Sequence, residues 1–260
     1  MVNQNQEFSL VLSGGGALGI AHIGVIEDMQ NLHLVPKEII GTSMGGIIGA
    51  CLATGMSAHE IYALFEKFSN LFNWIQLSFD GNAVIKHEKI RTIFEDIFGD
   101  AKLSSTDIPL KIIATKLQTG QKRVFCSQDD ITIVDALLAT MAIPGIFQEH
   151  IIDNEVYVDG FLCENLGILE CKCKQILAVD VLGKNSFDTT MPTSKLKTLN
   201  IASMFEKSMR LLIYNQTQAH KALCTKTLYV IEPDTKNYKT YQFHKYNDIY
   251  LLGKGLLHIK

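Results

Sequence analysis

Gly41, Ser43 and Gly45 stand in the spacing G-x-S-x-G within GTSMGG. The apolar run KEIIGTS leads into the serine, and GGIIGACLATG behind it has a helical pattern that stops at Gly55. A strand, a sharp turn and a helix are what a nucleophile elbow needs. The turn lifts the Ser43 hydroxyl off the backbone. Glycines two residues to either side let neighbouring chain pass without a Cβ clash, and the helix N-terminus favours developing negative charge. The same five residues also describe a glycine-rich turn with a capping serine. The strand–turn–helix setting favours the nucleophile.

A serine hydroxyl is a weak nucleophile until a base takes its proton. The chain has 8 histidines. In the order serine, acid, histidine, either His244 or His258 could be the base, but neither has a supporting local signature. Another candidate is Asp159 in VYVDGF, at the end of a strand-like run and followed by Gly160. An ordinary aspartate, with a pKa of about 3.9, is a feeble base, so burial beside the serine would have to raise its basicity.

Gly14, Gly16 and Gly19 in LSGGGALGIAH read G-x-G-x-x-G after an apolar run. A dinucleotide site would also want an acid at the end of the second strand, about 20 residues on. Glu38 lies at the start of that strand, and Gly41-Thr42-Ser43 occupies its end. Consecutive glycine amides aimed at one small anion suit an oxyanion hole instead. No G-x-x-x-x-G-K-[ST] loop is present.

These residues must be held by their elements. FSLVLS, KEIIGTS, LKIIATKL, QILAVDVL and TLYVIEPD are near-continuous apolar runs, as in parallel strands covered on both faces. Helical patterns lie between them, among them ALGIAHIGVIEDMQNL after the first run, SAHEIYALFEKFSNLF with Ser57 and Glu60 in capping-box spacing, and TIVDALLATMA with Thr132 and Asp135. KHEKIRTIFEDIF puts Ile90, Ile93, Phe94, Ile97 and Phe98 on one face. The longest helical candidate is 200–223. EHIIDNEVYVDGF reads as a hairpin turning at Asp153-Asn154, and 184–199 as a polar loop. The pattern predicts an α/β fold, three layers with a mostly parallel central sheet, and one domain spanning 1–260.

Across 260 residues the net charge is -3, which removes the main motive for nucleic-acid binding. The polar start MVNQNQEF lacks the profile of a secretory signal. The six cysteines (Cys51, Cys126, Cys163, Cys171, Cys173, Cys224) form no zinc ligand set and read as reduced thiols of a cytoplasmic protein. LFNWIQLSF at 71–79 suits either a lipid interface or core packing. The helix at 200–223 poses the same choice, with core or dimer packing favoured. No strong polybasic cluster is present, so any contact with the inner membrane face is expected to be transient.

Taken together, SGGGALGIAHIGV, GTSMGG and ALLATMAIPGIFQEHIIDNEVYVDG, in that order, resemble the patatin-like phospholipase family. YVIEPD and FHKYNDIYLLGKG are similar to the closing segment of its compact bacterial members, so the likeness runs from about residue 8 to 255. The resemblance implies a patatin-like fold and cleavage of lipid acyl esters through an acyl-enzyme. Ser43 would be the nucleophile and Asp159 the base, with the amides of Gly14, Gly15 and Gly16 as the oxyanion hole and Gly19, Gly41, Gly45 and Gly160 as motif support. It implies no metal, no cofactor and no catalytic histidine, and His22 reads as structural. Leu18 stands where the family often has Arg or Lys, Phe161 where Gly or Ala is common, and Gly167 where proline is usual. Leu18 and Phe161 motivate a non-catalytic regulatory member as the alternative. A Ser-His-Asp esterase and a dinucleotide-binding protein are weaker ones. The expected partner is a lipid or ester substrate, and homo-oligomerisation stays open.

Overall fold

A computed structural model describes residues 6–67, 87–187 and 197–258; LFNWIQLSF lies outside them. The strands are β1 (Phe8–Leu12), β2 (Glu38–Thr42), β3 (Leu110–Lys116), β4 (Lys122–Phe125), β5 (His150–Ile152), β6 (Glu155–Asp159), β7 (Gln175–Val179) and β8 (Thr227–Ile231). The helices are α1 (Ala21–Asn31), α2 (Met44–Ala53), α3 (58–67), α4 (His87–Phe98), α5 (Ile133–Thr140), α6 (Lys197–Leu223) and α7 (Tyr246–Leu251).

Hydrogen bonding links the strands in the order β5-β6-β3-β2-β1-β7-β8, with β4 also on β3. The pairs among β3, β2, β1, β7 and β8 are parallel. Every residue of β1, β2 and β7 is buried, which explains their unbroken apolar runs. Successive side chains point to opposite faces. Leu10 and Leu12 enter a large core with Ile23, Ile26, Ile48 and Leu137 from the helices. Val11, Ile40, Ile113 and Ile176 enter a smaller one, closed by Leu166 and Ile168. The sheet is therefore packed on both faces. The two predicted capping boxes form: Ser57 N–H donates to Glu60 at 2.7 Å, and Asp135 N–H donates to Thr132 Oγ1 at 3.0 Å.

The sequence reading differs from the fold in detail. β4 has no periodic signal, being only KRVF. The first helix is preceded by a 3-10 turn at Gly16–Ile20, where Gly16 has φ 55°. The long helix α6 begins at Lys197, inside the stretch read as loop.

The register of β3 determines how the site is assembled. Ile113 pairs with Thr42 of β2 on one edge and Val124 of β4 on the other. Ala114 pairs with Asp159 of β6 and Arg123 of β4. A strand has two edges and β4 runs along one, so β2 and β6 share the other. β2 is parallel to β3 and β6 antiparallel, so their C-terminal ends meet there. The predicted hairpin thus delivers Asp159 to the end of the strand that carries Ser43.

Candidate active site

Ser43 follows β2 directly and has φ 52° and ψ -124°. A non-glycine residue pays a strain of about 1–3 kcal/mol for such a conformation. The surroundings enforce it. Ser43 N–H donates to Thr140 Oγ1 at 2.8 Å, and the Thr140 hydroxyl donates in turn to the Ile113 carbonyl. The Ser43 carbonyl accepts from Gly46 and Ile47, the start of α2. The two elbow glycines have no room for side chains. A Cβ on Gly41 would lie 2.5 Å from the Gly45 carbonyl oxygen, and one on Gly45 would lie 2.2 Å from that of Leu12.

Ser43 Oγ donates to Asp159 Oδ2 at 2.6 Å. Asp159 is 0% exposed. Its Oδ1 accepts from Phe161 N–H at 3.0 Å, and its backbone is held by Ala142 and Thr115. Burial pushes the carboxyl up to about 7, against the opposing effects of the Ser43 and Phe161 hydrogen bonds. A carboxyl raised to that range can both take and give a proton near neutral pH. A Cβ on Gly160 would meet the Ile113 carbonyl at 2.2 Å. That position must stay bare for β6 to end against β3. Phe161 packs, half buried, on the main core.

The glycine loop lies against this pair. A Cβ on Gly14 would sit 3.2 Å from Ser43 Cβ. Gly14 N–H donates to the Asn165 carbonyl at 3.3 Å. The amides of Gly15 and Gly16 have no acceptor among the described residues. Gly19 leaves room for Met44, whose side chain would be 2.4 Å from a Cβ there. Leu18 is fully buried, so this loop carries no basic side chain at that position.

His22 is fully buried and donates from Nε2 to the Ser13 carbonyl at 2.8 Å. Desolvation lowers its pKa to about 4, so it is neutral and acts as a strut for the loop. No histidine is hydrogen-bonded to Ser43 among the described residues. Glu38, the acid a dinucleotide site would recruit, lies at the opposite end of β2. There it binds Ser9 at 2.7 Å and Lys111 at 2.9 Å.

Sequence reasoning missed Thr140, which anchors the elbow, and gave Asn165 no structural role. Asn165 joins the loop to α6: its N–H donates to Gln216 Oε1 at 3.2 Å while its carbonyl holds Gly14. Nothing distinguishes Thr140 in sequence from any other threonine at the end of a helix.

Fold and site define an α/β protein with a buried serine–aspartate pair at a glycine-lined elbow. The family model for patatin-like phospholipases matches residues 10–172, which include both residues of the pair. The chain belongs to the patatin-like phospholipase family. It is 28% identical over 288 aligned positions to the lysophospholipase NTE1 of Candida albicans, covering 96% of this chain and 19% of that protein. It is 30% identical over 161 positions to an uncharacterized NTE family protein of Mycobacterium bovis, covering 61% of this chain and 43% of that one. The chain thus spans about a fifth of the length of NTE1. In fold it is similar to the crystal structure of VipD from Legionella pneumophila, with a TM-score of 0.53 and 14% identity over 94% of this chain and 67% of that one.

Proposed function

We propose that this chain is a serine acyl hydrolase that cleaves the carboxylic esters of lipids. The observation that carries the proposal is the 2.6 Å hydrogen bond from Ser43 Oγ to a carboxyl that burial has made basic. Ser43 Oγ attacks the ester carbonyl carbon as Asp159 takes its proton. The tetrahedral oxyanion is held by the amides of Gly15 and Gly16, with Gly14 joining when its long bond to Asn165 gives way. Collapse expels the alcohol, which receives the proton from Asp159, and leaves an acyl-enzyme. Water then attacks with Asp159 again as base, releasing the acid and restoring Ser43.

The relatives named lysophospholipase support a monoacyl lipid as substrate. No helix among the described residues is long and apolar enough to cross a membrane. Met204, Phe205, Leu211 and Leu212 are exposed along one side of α6. That stripe supports contact with a lipid surface from which a monoacyl substrate is drawn.

A fluorophosphonate probe tests the reading. It should label the protein on Ser43 and fail to label Ser43→Ala, and the same substitution should abolish release of fatty acid from lysophospholipid. Labelling or turnover that survives Ser43→Ala would refute it.

A further inference from the structure

Leu18 leaves the glycine loop without a cation, yet a cationic cleft lies beside that loop. The cleft, of about 170 Å³, is lined by Ser186, Phe187, Lys207, Arg210, Lys236 and Lys239. Arg210 is 5% exposed. It donates to the carbonyls of Ser186 at 3.0 Å and Tyr238 at 2.7 Å and to Glu206 at 2.8 Å, while its Nε is buried with no partner among the described residues. Lys236 pairs with Asp234, and Lys239 lies 3.7 Å from Glu206. Among the described residues, Arg210, Lys236 and Lys239 face two carboxylates, Glu206 and Asp234, and the side chains that line the cleft are mainly cationic.

The cleft is tied to the proposed catalytic loop at two points. Glu206 accepts from Thr240 N–H at 3.0 Å, and the Thr240 carbonyl accepts from Ala17 N–H at 2.7 Å, directly after Gly16. Further along α6, Gln216 holds Asn165, which holds Gly14.

We infer that this cleft binds the phosphate of an amphiphilic ester whose acyl carbonyl sits at Ser43. The inference rests on the reading of Ser43 and Asp159 given above. Arginine and lysine select an anion and repel a quaternary ammonium. The rim selects a lipid over free phosphate. Leu211 lines the same cleft and belongs to the exposed apolar stripe with Met204, Phe205 and Leu212. A cationic pocket bordered by exposed apolar side chains fits an anionic headgroup that arrives with its chain.

The test uses Ser43→Ala protein, so that binding is measured without turnover. The probes are 1-acyl lysophosphatidic acid, the monoacylglycerol of the same chain, and inorganic phosphate, each below its aggregation limit. Lysophosphatidic acid should bind more tightly than monoacylglycerol. Adding Lys236→Gln and Lys239→Gln should weaken its binding about tenfold, a loss of about 1.4 kcal/mol, and collapse the preference over monoacylglycerol. The same charge loss at Lys37 and Lys245 is the control for net charge. Equal binding of the two lipids, or a preference untouched by the double substitution, overturns the proposal. So does phosphate that binds without competing with the lysolipid, which would mark a free-anion site. Failure of the catalytic reading shows separately, as turnover surviving Ser43→Ala in an otherwise wild-type chain.

Discussion

Ser43 and Asp159 stand at the meeting ends of two strands that share one edge of β3. Thr42 is paired with Ile113 and Asp159 with the next residue, Ala114. The serine reaches this point along the parallel sheet and the aspartate through an antiparallel hairpin. Each is held by backbone bonds that do not depend on the other. The 2.6 Å contact between them is therefore set by the sheet, and substitutions at either residue should change chemistry before they change the fold.

The first prediction separates strain from catalysis at Ser43. Ser43→Ala and Ser43→Gly both remove the hydroxyl, and each should lower ester turnover by about 10³-fold or more. They differ in the backbone, because φ is 52° and only glycine adopts that region freely. Ser43→Gly should therefore unfold later in denaturant than Ser43→Ala. The gap should be about 1 kcal/mol after the greater chain entropy of glycine is subtracted. Equal midpoints would mean that the elbow is not strained.

The elbow was legible in sequence because its glycines, serine, preceding apolar run and following helix are all local. Asp159 was legible as the end of a hairpin strand, and the family likeness is what suggests it as a base. What brings it to Ser43 was not legible. The sharing of one β3 edge by β2 and β6 is a long-range register, and KRVF, the strand that occupies the other edge, is too short and too charged to announce itself. Thr140 and Asn165 act through single bonds to backbone groups, which leave no pattern. The cationic cleft draws Lys207 and Arg210 from α6 and Lys236 and Lys239 from the segment after β8, so no run of basic residues marks it.

The second prediction concerns the pH dependence of rate. Asp159 must be ionised to accept the serine proton, and burial pushes its pKa up to about 7. kcat/KM should rise with pH and level off above an apparent pKa of about 7, in a profile that His22→Gln leaves in place. His22 titrates near 4 and holds only the Ser13 carbonyl. An acid limb centred near the ordinary aspartate value of about 3.9 would contradict the assignment of Asp159 as a desolvated base.

The third prediction concerns stability. The folded-state pKa of Asp159 lies above its unfolded value, so the native state holds its proton more tightly. This contribution is fully present below about pH 4 and is lost as pH rises through about 7. The cost of ionising the buried group is on the order of 4 kcal/mol above pH 8. Asp159→Asn keeps the shape, still accepts from Phe161 N–H and can donate to Ser43. It should be inactive yet more stable than wild type at pH 8, with the difference shrinking toward pH 4. Denaturant midpoints for both proteins at several pH values measure this directly. A difference that does not vary with pH would show that Asp159 is not ionised at cost in the native protein.

The last prediction turns to Leu18, where this chain departs from the family's frequent basic residue. The side chain is fully buried in the main core beside Ala17, Ile20 and Ala21, on the 3-10 turn that carries the glycine loop into α1. Leu18→Arg would bury a guanidinium among apolar groups, and the neighbouring loop amides are donors, which cannot pair with a cation. The variant should lose about 3 kcal/mol or more unless the charge escapes by shifting the loop. Leu18→Met, nearly isosteric, should cost under about 1.5 kcal/mol and leave the rate within a few-fold. If Leu18→Arg instead kept the wild-type midpoint and raised turnover of phosphate-bearing lipids over neutral ones, the loop would have an accessible cation position, and the anion site assigned to the α6 cleft would have a rival next to Ser43.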